Sequence, residues 1–369
     1  MQAPTAQGTD ARWRESPALV ALFAWAALGV GCALLAKVYG YDPLAAGTWE
    51  RWDSRFYLEI ASSGYQLNHC RPSEPAHWCG STGWFPGYPA LVRLLVTAGV
   101  PLHAAALAVP LACSAGVLWL LRDSLDVRGP KGALALAVAC VFPGTIYLRA
   151  AFPLAPLLVC GLLAIRFAGA ERYWLAALFS LFAATMYPVG VVVGPAIALA
   201  GAGRRRVLPA LGAALGLGLV FLAQHVMTGH WDGYLLMHRQ AEEGLHNPFD
   251  TLGARLKPLV NRRYWERVRV VSAVQTLFIT AFMAWLLSQA RALWREGGRA
   301  RTLLVYCVLA WLLPLFAGGN VTFARSECAL LPAIWFAQRW PHRASAAALA
   351  LLALLFAAME LLFLTSELV

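Results

Sequence analysis

The sequence predicts an all-α polytopic membrane protein, in which residues 1–369 form a single bundle of about eleven transmembrane helices. The chain is 60% hydrophobic and only 13% charged, whereas soluble domains carry about 25% charged residues. Many of its apolar runs approach the roughly 20 residues that a helix needs to cross a bilayer. The net charge of +11 fits basic loops and contact with anionic lipid better than nucleic-acid binding.

Eleven apolar runs are the candidate spans. They are 17–38, 102–121, 132–149, 152–168, 173–187, 188–202, 207–227, 270–290, 302–318, 327–340 and 344–365. Residues 1–16 are polar and the run from Pro17 is long enough to span, so we expect an uncleaved first helix. The short pair that meets at Tyr187-Pro188 also fits one broken helix or a re-entrant hairpin.

The basic residues predict the orientation of the bundle. With eleven spans, six basic segments between Arg12 and Arg343 fall on one side, and Lys and Arg favour the cytoplasmic side. The N-terminus is then cytoplasmic, and the polar segments 39–101 and 228–269 face outward as the active-site face. The composition is typical of a bacterial inner membrane protein, whose outer face is periplasmic or exterior. Seven basic residues in 228–269 fit either lipid headgroup adhesion or an incoming phosphate.

Two interfacial helices are predicted in residues 39–101, here called the first outer segment; residues 228–269 are the second outer segment. Within 49–65, apolar and small residues from Trp52 to Ser63 follow helical spacing. The stretch 85–96 begins with Pro86 and Pro89, and proline is tolerated at a helix start. We place 85–96 on the outer face, because another span would move the later basic loops outside.

Six of the eight cysteines fall in or beside apolar runs, where packing is their usual role. Cys70 and Cys79 lie nine positions apart in the outer polar segment. They form a local disulfide if that segment faces an oxidising compartment, and two free thiols otherwise. No His and Cys spacing typical of a metal site occurs, so no metal ligand or cofactor is predicted. The sequence requires no divalent cation and leaves room for one.

Asp53 is the candidate general base. It lies between Trp52 and a predicted helix start at Ser54, and Arg51 and Arg55 flank it. Nearby cations favour an ionised carboxylate, which can accept a proton from an incoming hydroxyl. The competing interpretation is a helix cap, which the residue type alone favours.

The surrounding pattern resembles the GPI mannosyltransferase II (PIG-V) family, R-W-D-x-x-x-Y-x-x-I-A-x-x-G-Y followed by F-F-P-L-Y-P-x-L-x-R. The matching positions are Arg51-Trp52-Asp53, Tyr57, Ile60-Ala61, Gly64-Tyr65, Phe85-Pro86, Tyr88-Pro89, Leu91 and Arg93. Weaker matches are the segments at Phe142–Phe152, Tyr187–Gly190 and Phe323–Arg325. Leu154 stands where the family usually has Glu, and Tyr187 stands where it has Arg.

The resemblance implies a GT-C-like bundle and a glycosyltransferase of the mannosyltransferase type (EC 2.4.1.-). Such an enzyme transfers a sugar, usually mannose, from a polyprenyl-phosphate donor to a lipid glycan, polysaccharide or protein on the outer face, with inversion. Asp53 takes the role of base, and Arg325 is the first candidate for stabilising the leaving phosphate. The other candidates for substrate binding are Arg51, Trp52, Tyr57, Tyr88, Arg93 and Arg149. Membrane lipids are further partners and nucleic acid is not expected.

Two other functions compete with this prediction. A transporter or flippase for a lipid-linked or anionic substrate needs charges along its path and broken helices, whereas the apolar runs hold few charges, chiefly Lys37 and Glu360. A non-catalytic protein of GT-C-like fold is compatible with the departure at Leu154. Arg325 also fits a snorkelling side chain, and the aromatic residues fit an interfacial belt. The reserve carboxylates are Glu59, Asp232, Glu242 and Glu243.

Overall fold

The structure, a computed structural model, describes residues 16–71, 77–125, 129–240, 244–318 and 323–367. Arg12, Glu242 and Glu243 lie outside the described residues. The helices are α1 Pro17–Val38, α2 Ala46–Trp49, α3 Ser54–Ser63, α4 Gly87–Thr97, α5 Leu102–Ser124, α6 Gly129–Cys140, α7 Leu154–Gly169, α8 Tyr173–Met186, α9 Val193–Ala200, α10 Leu208–Thr228, α11 Gly233–Gln240, α12 Pro248–Val260, α13 Arg267–Ser288, α14 Ala290–Glu296, α15 Gly298–Ala317, α16 Phe323–Ser326, α17 Ile334–Ala337 and α18 His342–Leu364. The structure is therefore about 78% helical with nearly no sheet, as predicted.

Six of the described helices are long and apolar enough to cross a membrane. They are Pro17–Val38, Leu102–Ser124, Arg204–Thr228, Arg267–Ser288, Gly298–Ala317 and His342–Leu364. The count of eleven spans is not supported, since the other apolar runs form helices of 10–17 residues: Gly129–Cys140, Leu154–Gly169, Tyr173–Met186, Pro188–Ala200 and Glu327–Ala337.

The shorter apolar runs are interrupted by tight turns and are largely buried within the protein. Helix α6 ends at Cys140, Gly144 adopts a positive φ of 79°, and the 3₁₀ turn Thr145–Leu148 follows. Two more 3₁₀ turns, Pro188–Val192 and Glu327–Ala333, break the later runs. Because a short apolar run is equally typical of a buried core, composition alone does not establish these shorter runs as spans.

Close backbone approaches hold the central helices together. A Cβ at Gly190 would lie 1.9 Å from the carbonyl oxygen of Ala183, and one at Gly212 would lie 2.2 Å from that of Ala177. Small residues let helix backbones approach in this way. Gly190 thereby holds the turn that begins at Pro188 close against α8. Tyr187, just before this turn, lines the cavity described below.

The first outer segment contains the two predicted helices and one hairpin that was not predicted. Helix α3 begins at Ser54, the helix start predicted within the segment 49–65, and Trp52 just before it has a positive φ of 50°. Helix α4 begins at Gly87, directly after Pro86. Between them, strands β1 Leu67–His69 and β2 Trp78–Gly80 pair antiparallel. A disulfide joins Cys70 and Cys79 at this hairpin.

Candidate active site

Asp53 and Arg325 form an ion pair although 272 positions separate them in the chain. An Nη1–H of Arg325 donates to Oδ2 of Asp53, and the side chains are 3% and 17% exposed, respectively. Asp53 occupies the N-cap position of α3, but its side chain makes no capping hydrogen bond. The carboxylate is therefore directed to the arginine and not to the helix end.

Asp53 lies at the N-terminal end of helix α3, and Arg325 lies in the four-residue helix α16. The guanidinium carbon of Arg325 lies 5.5 Å from the ring centroid of the buried Phe152. A buried arginine is stable only with a counter-charge and favourable contacts. Asp53 supplies the charge, and the π face of Phe152 supplies an additional attraction.

The ion pair lies on the wall of a cavity of about 330 Å³. This volume is within the range of small-molecule sites, which are mostly apolar with a few convergent polar groups. The first outer segment, the second outer segment and the ends of α15 and α16 all contribute. The lining residues are Asp53, Tyr57, Gly83, Trp84, Phe85, Tyr187, Pro188, Val189, Tyr234, Met237, His238, Leu313, Pro314, Ala317, Gly318, Arg325 and Ser326.

Two tyrosines line the cavity beside the ion pair. Tyr57 is buried, with its ring edge-on to Tyr88 at 5.4 Å between centroids. Burial and then the Asp53 carboxylate raise the pKa of Tyr57 well above its ordinary value, so its hydroxyl remains a hydrogen-bond donor. The Tyr187 hydroxyl lies 3.5 Å from Oγ of Ser326. Tyr187, the departure noted in the sequence, thus belongs to the cavity wall beside Arg325.

A buried glutamine ties the two outer segments together above the cavity. Nε2 of Gln224 donates to the carbonyl of Thr82 at 2.8 Å, and its Oε1 accepts from the backbone N–H of Tyr234 at 3.1 Å. Thr82 also donates its hydroxyl to the carbonyl of Gly233 at 2.8 Å. These bonds hold Gly83–Phe85 and the start of α11 in place.

Sequence reasoning missed the contribution of α11, whose Tyr234, Met237 and His238 line the cavity. The segment 228–269 was predicted to belong to the active-site face, but only its carboxylates Asp232, Glu242 and Glu243 were selected, as reserve candidates. The aromatic content was the available signal, because Tyr234 packs against Phe85 with ring centroids 5.6 Å apart.

Several predicted substrate-binding residues do not line this cavity. Tyr88 is fully buried and donates its hydroxyl to the carbonyl of Ala106 at 2.6 Å, a packing role. Arg93 is exposed on α4. The guanidinium carbons of Arg51 and Arg149 lie 5.4 Å and 5.7 Å from the ring centroids of Tyr41 and Trp25, respectively.

Trp52 and Leu154 also lie outside the cavity lining. Trp52 is 42% exposed and lines a separate groove on the surface. Leu154 is fully buried in the first turn of α7. An apolar residue where the resemblance expects Glu therefore packs into the core.

The residues of the cavity do not form a metal ligand set. Asp53 is the one carboxylate among the described lining residues. No group of three or more His, Cys, Asp or Glu suited to a metal ion occurs in the described ranges.

No protein-family model matches this chain, and no curated protein matches it significantly. The resemblance noted in residues 51–93 and the activity it implies therefore stay predictions.

Proposed function

We propose that the protein is an inverting membrane glycosyltransferase of the GT-C type, with Asp53 as the base. The observation that carries this proposal is the Asp53–Arg325 ion pair on the wall of a cavity of about 330 Å³. The pair joins a proton acceptor to a fixed cation beside space for a ligand. Metal-assisted hydrolysis would need more carboxylate or imidazole ligands than Asp53 and His238, the two among the described lining residues.

The donor in this proposal is a polyprenyl-phosphate sugar, with mannose as the expected sugar. Its phosphate takes the place of the Asp53 carboxylate as the counter-ion of Arg325, because guanidinium binds phosphate and carboxylate with the same fork of N–H donors. Val189, Leu313 and Pro314 give the cavity an apolar wall, which suits the first units of a prenyl chain.

The reaction is a single displacement at the anomeric carbon. The acceptor hydroxyl gives its proton to Asp53 while its oxygen bonds to that carbon. The bond to the phosphate oxygen breaks, and its electron pair stays on the phosphate, where Arg325 stabilises the added charge. The buried Tyr57 donates a hydrogen bond to the sugar, because its hydroxyl stays protonated.

We place the cavity on the outer face of a bacterial inner membrane, with a cytoplasmic N-terminus. The support is the disulfide Cys70–Cys79, since disulfides persist in oxidising compartments such as the periplasm. The same outer segment carries Asp53. A lipid glycan, polysaccharide or protein is the acceptor class.

The test is transfer by the purified full chain in lipid nanodiscs. The chain is incubated with polyprenyl-phosphate-mannose and candidate acceptors, and products are identified by mass spectrometry. Asp53→Asn should lower transfer per folded molecule by about 10²–10⁴-fold, the usual contribution of a general base. Asp250→Asn, a change at an exposed aspartate of α12, should not change transfer.

Folded protein in each sample is quantified by size-exclusion chromatography and thermal unfolding. Full transfer by the folded Asp53→Asn variant would refute the mechanism. If the wild-type chain makes no product but moves a labelled lipid-linked sugar across vesicles, the flippase alternative replaces the proposal.

A further inference from the structure

A second concave surface lies beside Asp53, outside the cavity. This outer groove has a volume of about 610 Å³, and its walls include Glu50, Trp52, Arg55, Glu59 and His103. A smaller cleft of about 290 Å³ adjoins it and is lined by Trp52, Asp53, Arg55, Phe56 and Ser366. None of the proposed donor contacts uses the outer groove.

The outer groove and the cavity meet at one carboxylate. Trp52 and Arg55 line both the outer groove and the cleft. Asp53 lines both the cleft and the cavity. Asp53 therefore borders both the cavity, where Arg325 contacts its carboxylate, and the cleft that adjoins the outer groove.

Trp52 is held in an unfavourable conformation at this junction. Its φ of 50° lies in the left-handed region, and its side chain is 42% exposed. A left-handed backbone is unfavourable for a non-glycine residue, and such residues cluster at functional sites. Two hydrogen bonds close the turn around it. The backbone N–H of Ser54 donates to the carbonyl oxygen of Arg51 at 3.0 Å, and the backbone N–H of Arg51 donates to Oγ of Ser54 at 3.2 Å. The turn directs the indole into the outer groove.

The outer groove offers both acceptors, the carboxylates of Glu50 and Glu59, and donors, chiefly the guanidinium of Arg55. The Glu50 carboxylate oxygens lie 2.8 Å and 3.0 Å from Nδ1 of His103, which fixes that carboxylate in place. Glu59 has no ion-pair partner among the residues that the structure describes. Carboxylate oxygens accept hydrogen bonds from hydroxyl groups, and an aromatic ring face offers apolar contact. With two carboxylates against the one guanidinium of Arg55, the groove has no excess of positive charge to attract an anionic ligand.

We propose that the outer groove and the cleft bind the acceptor, that the acceptor is a neutral sugar, and that one of its hydroxyls reaches Asp53 through the cleft. The sugar packs its apolar face on Trp52 and donates hydroxyl hydrogen bonds to Glu59 and Glu50. Assigning this ligand as the acceptor rests on the proposed function, but the binding itself does not. Donor and acceptor then approach Asp53 from opposite sides.

Binding is measured on the full chain in nanodiscs by saturation-transfer NMR, with mannotriose and maltotriose as neutral probes. Trp52→Gly removes the indole and relieves the left-handed strain, so the fold should be kept or made more stable. Glu59→Gln removes the unpaired charge and keeps the side-chain size. The matched controls are Trp265→Ala and Glu266→Gln, exposed residues of the second outer segment.

At least one neutral probe should bind the wild-type chain, and both outer-groove variants should weaken that binding by about tenfold or more, since losing a hydrogen bond to a charged group or a large aromatic contact has this size. The controls should bind as the wild type does. Unchanged binding by Trp52→Gly and Glu59→Gln, or no binding of either probe to the wild-type chain, would overturn the assignment of the outer groove.

The transfer assay separates this inference from the proposed function. If both are right, Trp52→Gly raises the KM for the sugar acceptor about tenfold, whereas Asp53→Asn lowers the kcat of transfer. Transfer that depends on Asp53 but is insensitive to Trp52 and Glu59 contradicts the outer groove alone. Sugar binding that depends on Trp52, without any transfer, contradicts the proposed activity alone.

Discussion

The Asp53–Arg325 ion pair should have a large and measurable coupling energy. Arg325 is almost fully buried, so Asp53→Asn leaves an uncompensated charge within the protein. Removing one partner of such a buried pair costs about 3–5 kcal/mol. Arg325→Gln leaves a carboxylate that is 17% exposed and partly hydrated, so its cost should be lower, about 1–3 kcal/mol.

The double variant should recover much of this loss, because neither charge then stays unpaired. We expect a coupling energy of about 2–3 kcal/mol from the double-mutant cycle, the upper part of the range for residues in contact. The matched control is the Arg339–Glu296 pair, whose side chains are 38% and 46% exposed and lie 2.7 Å apart. Exposed pairs contribute about 0–1 kcal/mol.

The assay is reversible unfolding in mixed micelles, with a denaturing detergent as titrant and far-ultraviolet circular dichroism as the signal. The four proteins of each cycle are measured at one protein and lipid concentration. A coupling below about 0.5 kcal/mol, the limit of additivity for independent sites, would refute the buried ion pair. A value no larger than that of the control pair would do the same.

Three further predictions test the packing around the site. Tyr88→Phe should cost about 1 kcal/mol in unfolding free energy and retain transfer, because the hydroxyl makes one buried hydrogen bond to a backbone carbonyl of α5; a large loss of transfer at equal folded yield would instead place Tyr88 in the site. Gly190→Ala should reduce the folded yield in size-exclusion chromatography, since its Cβ would lie 1.9 Å from a backbone oxygen of Ala183; an unchanged yield and thermal stability would contradict that close approach. Reduction of Cys70–Cys79 should lower stability by about 2–3 kcal/mol for a loop of this size, measured by unfolding with and without reductant in comparison with a Cys70→Ser/Cys79→Ser variant, which reductant should not affect.

The long helices could be predicted because their signal is local. The run predicted at 102–121 corresponds to α5, Leu102–Ser124, and hydropathy alone identifies such segments. The run predicted at 132–149 does not form one continuous helix, since α6 ends at Cys140 and a 3₁₀ turn follows. Whether an apolar side chain faces lipid or protein depends on neighbours far away in sequence, and periodicity does not report it.

The site could be predicted only in part, because it combines residues from distant segments. Asp53 and Arg325 were selected separately from two motifs, and nothing in a single sequence indicates that they touch. Tyr88 and Arg149 follow the same motif reasoning but pack elsewhere. Helix α11 could not be assigned to the cavity wall, because its position depends on the hydrogen bonds of Gln224.

The long sequence separation of the ion pair has a consequence for biosynthesis. Asp53 leaves the ribosome 272 residues before Arg325, which at about 5–20 residues per second is roughly 15–55 s of translation. During that interval the carboxylate has no guanidinium to neutralise it, and the first helices insert without it. Nascent chains halted before Arg325 therefore lack the counter-ion and the cavity wall near it, so the ion pair forms only in about the final eighth of synthesis.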